Sequence, residues 1–199
     1  MPAGIMLTRK RILEYLSARE IVVDPILNEK QIDCASIDLR LDNYFIEFKT
    51  AKTGVIDPAE IQNEYKNFLE MIELEFFQDV YYLQPKKFIL AQTFEYLALP
   101  DHIVGHLEGR STVAREGLTV HAAAGMVDPG FRGHLVFEML NAGEMPIKLY
   151  PLMKVAKIAF HDTEKTMKYG GEYNIQVRIR PPGRDKDLHR LLRLFKEKT

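Results

Sequence analysis

HLVFEMLNAGEMPIKLYPLMKVAKIAF, from His134 to Phe160, decides how the chain folds. Its apolar runs HLVFEML, IKLYP and KVAKIAF are cut apart by Asn141, Gly143, Pro146 and Pro151. Short runs bounded by turn formers read as strands. The same rhythm reaches back to Val80 through VYYLQP, KFILAQTFEYLALP, IVGHLEG and LTVHAAA. Strands this short, this numerous and this evenly spaced indicate an all-β barrel or sandwich.

Outward from that block the pattern changes. SIDLRLDNYFIEF alternates, with Ile37, Leu39 and Leu41 on one face and Asp38, Arg40 and Asp42 on the other. That is the pattern of a half-buried strand. IVVDP reads as a strand stopped by Pro25, and Thr8 as the cap of a short helix whose Ile12, Leu13 and Leu16 fall at helical spacing. Pro58, Ile61, Tyr65, Phe68, Leu69 and Ile72 suggest an inserted helix within residues 59–77. The end, LHRLLRLFKEK, places Leu188, Leu191, Leu192 and Phe195 on one stripe with basic residues opposite. It reads as a helical tail over residues 185–199 packed on the domain, with a partner-binding or membrane-surface helix as the alternative.

The 199 residues suit one domain, 1–199, with its core over about 30–180. Apolar residues make up 46% and charged residues 28%, and the formal net charge is −1. Neither nucleic acid nor a membrane is an expected partner on charge grounds. The single cysteine, Cys34, cannot form an internal disulfide, and a cysteine-based zinc site is excluded. The N-terminal stretch lacks the apolar run of a signal peptide, and no run approaches the roughly 18 apolar residues of a membrane span. The expected compartment is the cytoplasm.

The chemistry concentrates in GRSTVAREGLTVHAAAGMVDPGF, from Gly109 to Phe131. Arg110, Ser111 and Thr112 stand where a turn meets a short helix and suit an anion, phosphate above all; a solvated turn is the plainer reading. The alanines before Gly125 leave room for a planar base to lie against the backbone. Asp128, ahead of Pro129 and Gly130, either caps its turn or accepts from a sugar hydroxyl. Glu138 sits among Val136, Phe137, Met139 and Leu140. A carboxylate buried there needs a partner, and burial would raise its pKa and make it a candidate proton shuttle. The alternative is an edge glutamate facing solvent. His106–Glu108 gives H-x-E, but no P-C-x-x-C follows, so a zinc deaminase site is not expected.

Taken together these blocks resemble the dCTP deaminase branch of the dUTPase superfamily. The family pattern G-R-S-S/T-x-x-R-x-G-L, V-H-x-x-A-x-x-I/V-D-P-G-F/W-x-G, L/F-E-x-x-N and P-I/L occurs in order over residues 96–160, and CASIDLRLDNYF resembles its early A-S-x-D-x-R-L-G-x-x-F strand. The resemblance implies a distorted, jelly-roll-like β-barrel of dUTPase type with a short N-terminal and a C-terminal helix. It implies a homotrimer with active sites between subunits, and zinc-independent deamination of dCTP to dUTP and ammonia. By motif position Glu138 is the general acid/base, Ser111 holds the water and Arg115 orients Glu138. Arg110 and Thr112 bind phosphate, Asp128 takes the sugar 3′-hydroxyl, Ala124 offers backbone atoms, and Val127, Tyr169 and Gln176 complete the substrate site. Magnesium accompanies the triphosphate rather than activating water.

The sequence departs from the pattern in two places. Glu172 stands where the family's C-terminal block has lysine, and Leu152 and Ala156 replace glycines in PLMKVAK. The glycine at Gly125 resembles members that also hydrolyse dUTP to dUMP and pyrophosphate, single-function members often having histidine. The expected activity is therefore dCTP deamination to dUTP. A bifunctional, dUMP-releasing enzyme and a weakly active nucleotide-binding homologue are the alternatives.

Overall fold

A computed structural model describes residues 5–49, 56, 68–183, 187, 188 and 190. The elements are α1 (Arg9–Ser17), β1 (Val22–Asp24), a 3-10 turn (Glu29–Gln31), β2 (Ser36–Phe48), β3 (Leu69–Glu73), β4 (Tyr81–Leu83), β5 (Phe88–Ala98), β6 (Ile103–Gly109), α2 (Ser111–Ala114), β7 (Leu118–Thr119), β8 (Met126–Val127), β9 (Arg132–Asn141), β10 (Ile147–Leu149) and β11 (Lys154–Asp162). Among them one antiparallel sheet runs β7-β9-β5-β2-β11-β6-β8, with β1 added to β5 and β3 to β2; β10 and β4 pair separately. The mainly β expectation holds. So does the short N-terminal helix, although Thr8 offers only its carbonyl, to Ile12 N at 2.9 Å, and no side-chain cap. Ile12 and Tyr15 face the core and Leu13 faces solvent.

The expected helix within residues 59–77 is corrected where it can be seen. Leu69 and Ile72 lie in β3, whose Ile72 pairs with Phe45 and Leu69 with Phe48. Their spacing fitted a helix, but pairing along the long β2 strand satisfies the backbone instead. Residues 57–67 lie outside the described residues. Of the tail expected over 185–199, Asp187, Leu188 and Arg190 are described, and all are helical.

β2 is also not the half-buried strand that its alternation suggests. Both faces are covered: Leu39 and Leu41 are buried, and so are Arg40 and Asp42. Two bulges make this possible. Asp42, Asn43 and Tyr44 stand opposite Gln92 between the Leu41↔Thr93 and Phe45↔Ala91 pairs. On the other side of β5, Thr93, Phe94 and Glu95 stand opposite Leu135 between Gln92↔Val136 and Tyr96↔His134. Bulges release ladder positions and re-aim side chains. The buried Glu95 carboxylate thus meets Arg40 N at 2.8 Å, Arg40 Nη1 at 3.3 Å and Gln31 Nε2 at 2.8 Å. Burial pushes its pKa up, against the pull of the Arg40 bonds. A buried ion pair of this kind costs about 3–5 kcal/mol when one partner is removed.

The main core fills the concave side of the sheet around Phe45, Phe137 and Phe160, and Phe45 stacks on Tyr81 at 5.2 Å. A second cluster, Ile46, Leu90 and Ile179, lies apart from it. Ile179 belongs to the chain that follows β11. That chain crosses back to β9, where Gln176 bridges Gly133 in parallel. Gly133 has φ +141, and a Cβ there would stand 2.8 Å from Gln176 N, so the crossing needs glycine.

Candidate active site

Along β9 alternate side chains divide between two surfaces. Leu135, Phe137 and Met139 enter the core, while His134, Val136 and Glu138 are half-buried on the other face. The returning chain closes over that second face. His134 N donates to Gln176 O at 2.9 Å, and Ile175 N to Arg132 O at 2.6 Å. Between sheet and returning chain lies a cleft of about 250 Å³. Leu90, Val136 and Phe131 give it apolar walls; Glu138, His134, Tyr173, Gln176 and Arg180 give it polar groups. A mainly apolar cleft with a few convergent polar groups is the usual form of a small-molecule site.

Glu138 is not a solvent-facing edge residue. Its Oε2 accepts from the backbone N–H of Ala122 and of Ala123, each at 3.1 Å. Its Oε1 makes no hydrogen bond among the described residues and is the oxygen left for a ligand. The LTVHAAA run, expected as a strand, is β7 for only Leu118–Thr119; the alanines form the loop whose amides hold the carboxylate. Ala124 lines the cleft. Gly125 closes this loop tightly: a Cβ on it would meet Leu107 O at 3.3 Å and His121 Cε1 at 3.4 Å.

Gln176 is 1% exposed, and its Oε1 is buried without a hydrogen-bond partner among the described residues. An orphaned buried acceptor beside a cleft points to a donor group on a ligand. Tyr173 presents its hydroxyl to Gly183 N at 2.8 Å. Tyr169 does not line this cleft. It packs on Phe131 at 6.1 Å and takes Asn174 Nδ2 on its carbonyl. Asp128 is exposed, and its carbonyl accepts from Phe131 N across the turn. The Val127 side chain is buried in the core, which leaves only its backbone to meet a ligand.

The remaining sequence-predicted residues form a second group at the β6–α2 junction. Arg110 precedes the four-residue α2 and donates from Nη1 to Asp38 Oδ2 at 3.0 Å. Lys154 Nζ reaches the same oxygen at 2.9 Å. Asp38 thus fixes two cations side by side, one of them not foreseen. The resemblance of CASIDLRLDNYF to the family strand marks Asp38, but alternation gives no sign that it turns toward a lysine on β11. Ser111, Thr112 and Arg115 are exposed. None of Arg110, Ser111, Thr112 and Arg115 lines the Glu138 cleft, and no hydrogen bond joins them to Glu138 among the described residues.

Glu172 is exposed, with its carboxylate beside Gly183. Among the described residues no group of three or more His, Cys, Asp and Glu side chains is placed to hold a metal ion. No described helix is long and apolar enough to cross a membrane.

Comparison with known proteins adds to this geometry. A family model described as dCTP deaminase-like matches residues 6–163. A protein of Methanosphaera stadtmanae named "dCTP deaminase, dUMP-forming" is 42% identical over 156 residues, covering 78% of each chain. A protein of the same name from Dictyoglomus turgidum is 38% identical over 179 residues, covering 86% of this chain and 91% of the relative. Among solved structures, the 2′-deoxycytidine 5′-triphosphate deaminase of Agrobacterium tumefaciens superposes with a TM-score of 0.64 at 18% identity. That match covers 81% of this chain and 49% of the other, so this chain spans about half of that protein's length. At such identity the likeness concerns the fold alone.

Proposed function

The chain belongs to the dCTP deaminase-like family, and we propose that it deaminates dCTP and carries the product on to dUMP and pyrophosphate. The observation that carries this reading is the pairing of a cleft-lining Glu138, held by two backbone amides, with relatives near 40% identity described as dUMP-forming. The dUMP-forming alternative replaces dUTP as the proposed end product. Gly125, packed against Leu107 O and His121, is consistent with it.

In the first step water adds to C4 of the cytosine. The free Oε1 of Glu138 takes one proton of that water and passes it to N3 of the base, then carries the proton of the new C4 hydroxyl to the amino group as the C4–N bond breaks, giving dUTP and ammonia. The Ala122 and Ala123 amides hold Oε2, so the carboxylate does not turn away during the two transfers. Gln176 Oε1 accepts a hydrogen bond from the nucleotide. In the second step water cleaves between the α- and β-phosphates, giving dUMP and pyrophosphate.

Arg110 and Thr112 bind phosphate, with Lys154 beside Arg110 through Asp38. Asp128 takes the sugar 3′-hydroxyl. Ser111 positions the water and Arg115 supports the charge on Glu138. One chain does not bring these two groups together, which supports a homotrimer whose sites combine the Glu138 cleft of one subunit with the Arg110–Arg115 segment of another. Magnesium bound to the triphosphate lowers its charge on entry, and no zinc enters the chemistry. Incubation with dCTP and magnesium, followed by chromatography of dCTP, dUTP and dUMP, tests the reading. It expects dUMP; unchanged dCTP would refute it.

A further inference from the structure

The returning chain over the cleft is tied to the sheet by a buried polar pair that the deamination chemistry does not use. Gln92, on β5, is 1% exposed, and Asp42, on β2, is 7% exposed. Gln92 Nε2 donates to Asp42 Oδ2 at 2.7 Å, and Gln92 Oε1 accepts from Ile179 N at 2.6 Å. Asp42 Oδ1 accepts from Asn43 N at 2.8 Å.

The chemistry of the groups fixes the direction. A carboxylate only accepts, so Asp42 draws the amide NH₂ of Gln92 to itself. That leaves the Gln92 carbonyl facing the Ile179 amide, which only donates. The bulge opposite Gln92 makes the contact possible by turning Asp42 inward. Ile179 itself is 3% exposed, packed with Ile46 and Leu90. Gln176, Tyr173, Arg180 and Pro182, on the same segment, all line the cleft.

We infer that Asp42 and Gln92 are positioning residues: an oriented latch that holds segment 173–182 closed over the cleft and so sets nucleotide affinity without touching the nucleotide. The inference rests on the deaminase reading for its ligand, but the latch itself is visible without one. Interactions made alike by bound substrate and transition state change KM and leave kcat nearly unmoved. The latch acts through such contacts, whereas Glu138 lies on the sheet and keeps its own amide partners.

The polarity of the pair supplies the test. Asp42→Asn has one acceptor oxygen for two donors and must lose one bond. Gln92→Glu sets a carboxylate against a carboxylate. Combined, the two changes restore the pattern reversed, with the new amide donating to the new carboxylate and the latter still accepting from Ile179 N. Wild type, both single variants and the double variant are compared by dCTP kinetics and by hydrogen exchange at the Ile179 amide. Each single change raises KM about 10-fold, the order expected for losing a charge-assisted hydrogen bond. It leaves kcat within about 3-fold and speeds exchange at Ile179, and the double variant returns both readouts toward wild type. Unchanged KM in the single variants, or a double variant no better than the worse single one, overturns the inference. If wild type does not turn over dCTP, the deaminase reading fails instead. Exchange at Ile179 then judges the latch alone, and equal protection in all four proteins rejects it.

Discussion

Ala123 donates its backbone N–H to Oε2 of Glu138 at 3.1 Å, clamping a carboxylate of β9 onto the alanine loop. Gln at position 138 can keep an oxygen facing that loop but cannot take a proton. Glu138→Gln is therefore expected to fold normally and to lose about 10²–10⁴-fold in ammonia release, the usual span for a general acid/base group. Near-wild-type turnover by the folded variant removes Glu138 from the proposed role.

Glu138 and Arg115 stand apart within one chain, so sites shared between subunits predict complementation. Glu138→Gln and Arg115→Ala should each be inactive alone. Mixed, unfolded and refolded together, they should regain a fraction of wild-type activity, because some sites then draw both intact residues from different chains. No recovery in a refolded mixture that contains mixed oligomers would place both residues in one chain's site.

Parts of this site were legible in the sequence and parts were not. The short runs from Val80 to Phe160 announced strands because turn formers bound them, and Glu138 stood out as a charge among apolar neighbours. The alternation of β2 misled, since Arg40 and Asp42 have the polarity of surface residues but are buried against Glu95 and Gln92. Those partners lie on another strand and meet β2 only through bulges, which leave no local signature. Leu69 and Ile72 fit a helix by spacing, and pairing with β2 decided otherwise. Lys154 escaped notice for the same reason as Asp42: its partner is distant in sequence.

Glu172 stands where the family pattern has lysine. If its side chain faces the bound phosphates, Glu172→Lys is expected to lower KM for dCTP by roughly 2- to 5-fold, the scale of an exposed charge contact, with little change in kcat. A KM that is unchanged or higher would show that this side chain lies away from the phosphates. Comparing dCMP, dCDP and dCTP as ligands then shows whether affinity rises with each phosphate.

Stability should carry a pH signature at Glu47, which takes Lys87 Nζ and the Tyr81 hydroxyl, each at 2.6 Å. These bonds hold its carboxyl below the ordinary carboxylate value, first through Lys87 and then Tyr81. A depressed acid contributes stability above its unfolded value, near 4.3, and loses it as pH falls through the folded value. Tyr81→Phe should cost about 1 kcal/mol at pH near 7, with the partial exposure of Glu47 reducing the effect, and the gap should narrow below pH about 4. Urea midpoints at both pH values measure it; an equal gap at both would mean that the hydroxyl contributes without the charge.

The central claim, that this chain takes dCTP through to dUMP, is tested most directly by measuring ammonia and pyrophosphate in the same reaction. Purified protein with dCTP and magnesium should release one pyrophosphate for each ammonia from the earliest time points, with no build-up of dUTP. Ammonia without pyrophosphate would reduce the protein to a deaminase that stops at dUTP, and pyrophosphate without ammonia would contradict deamination altogether.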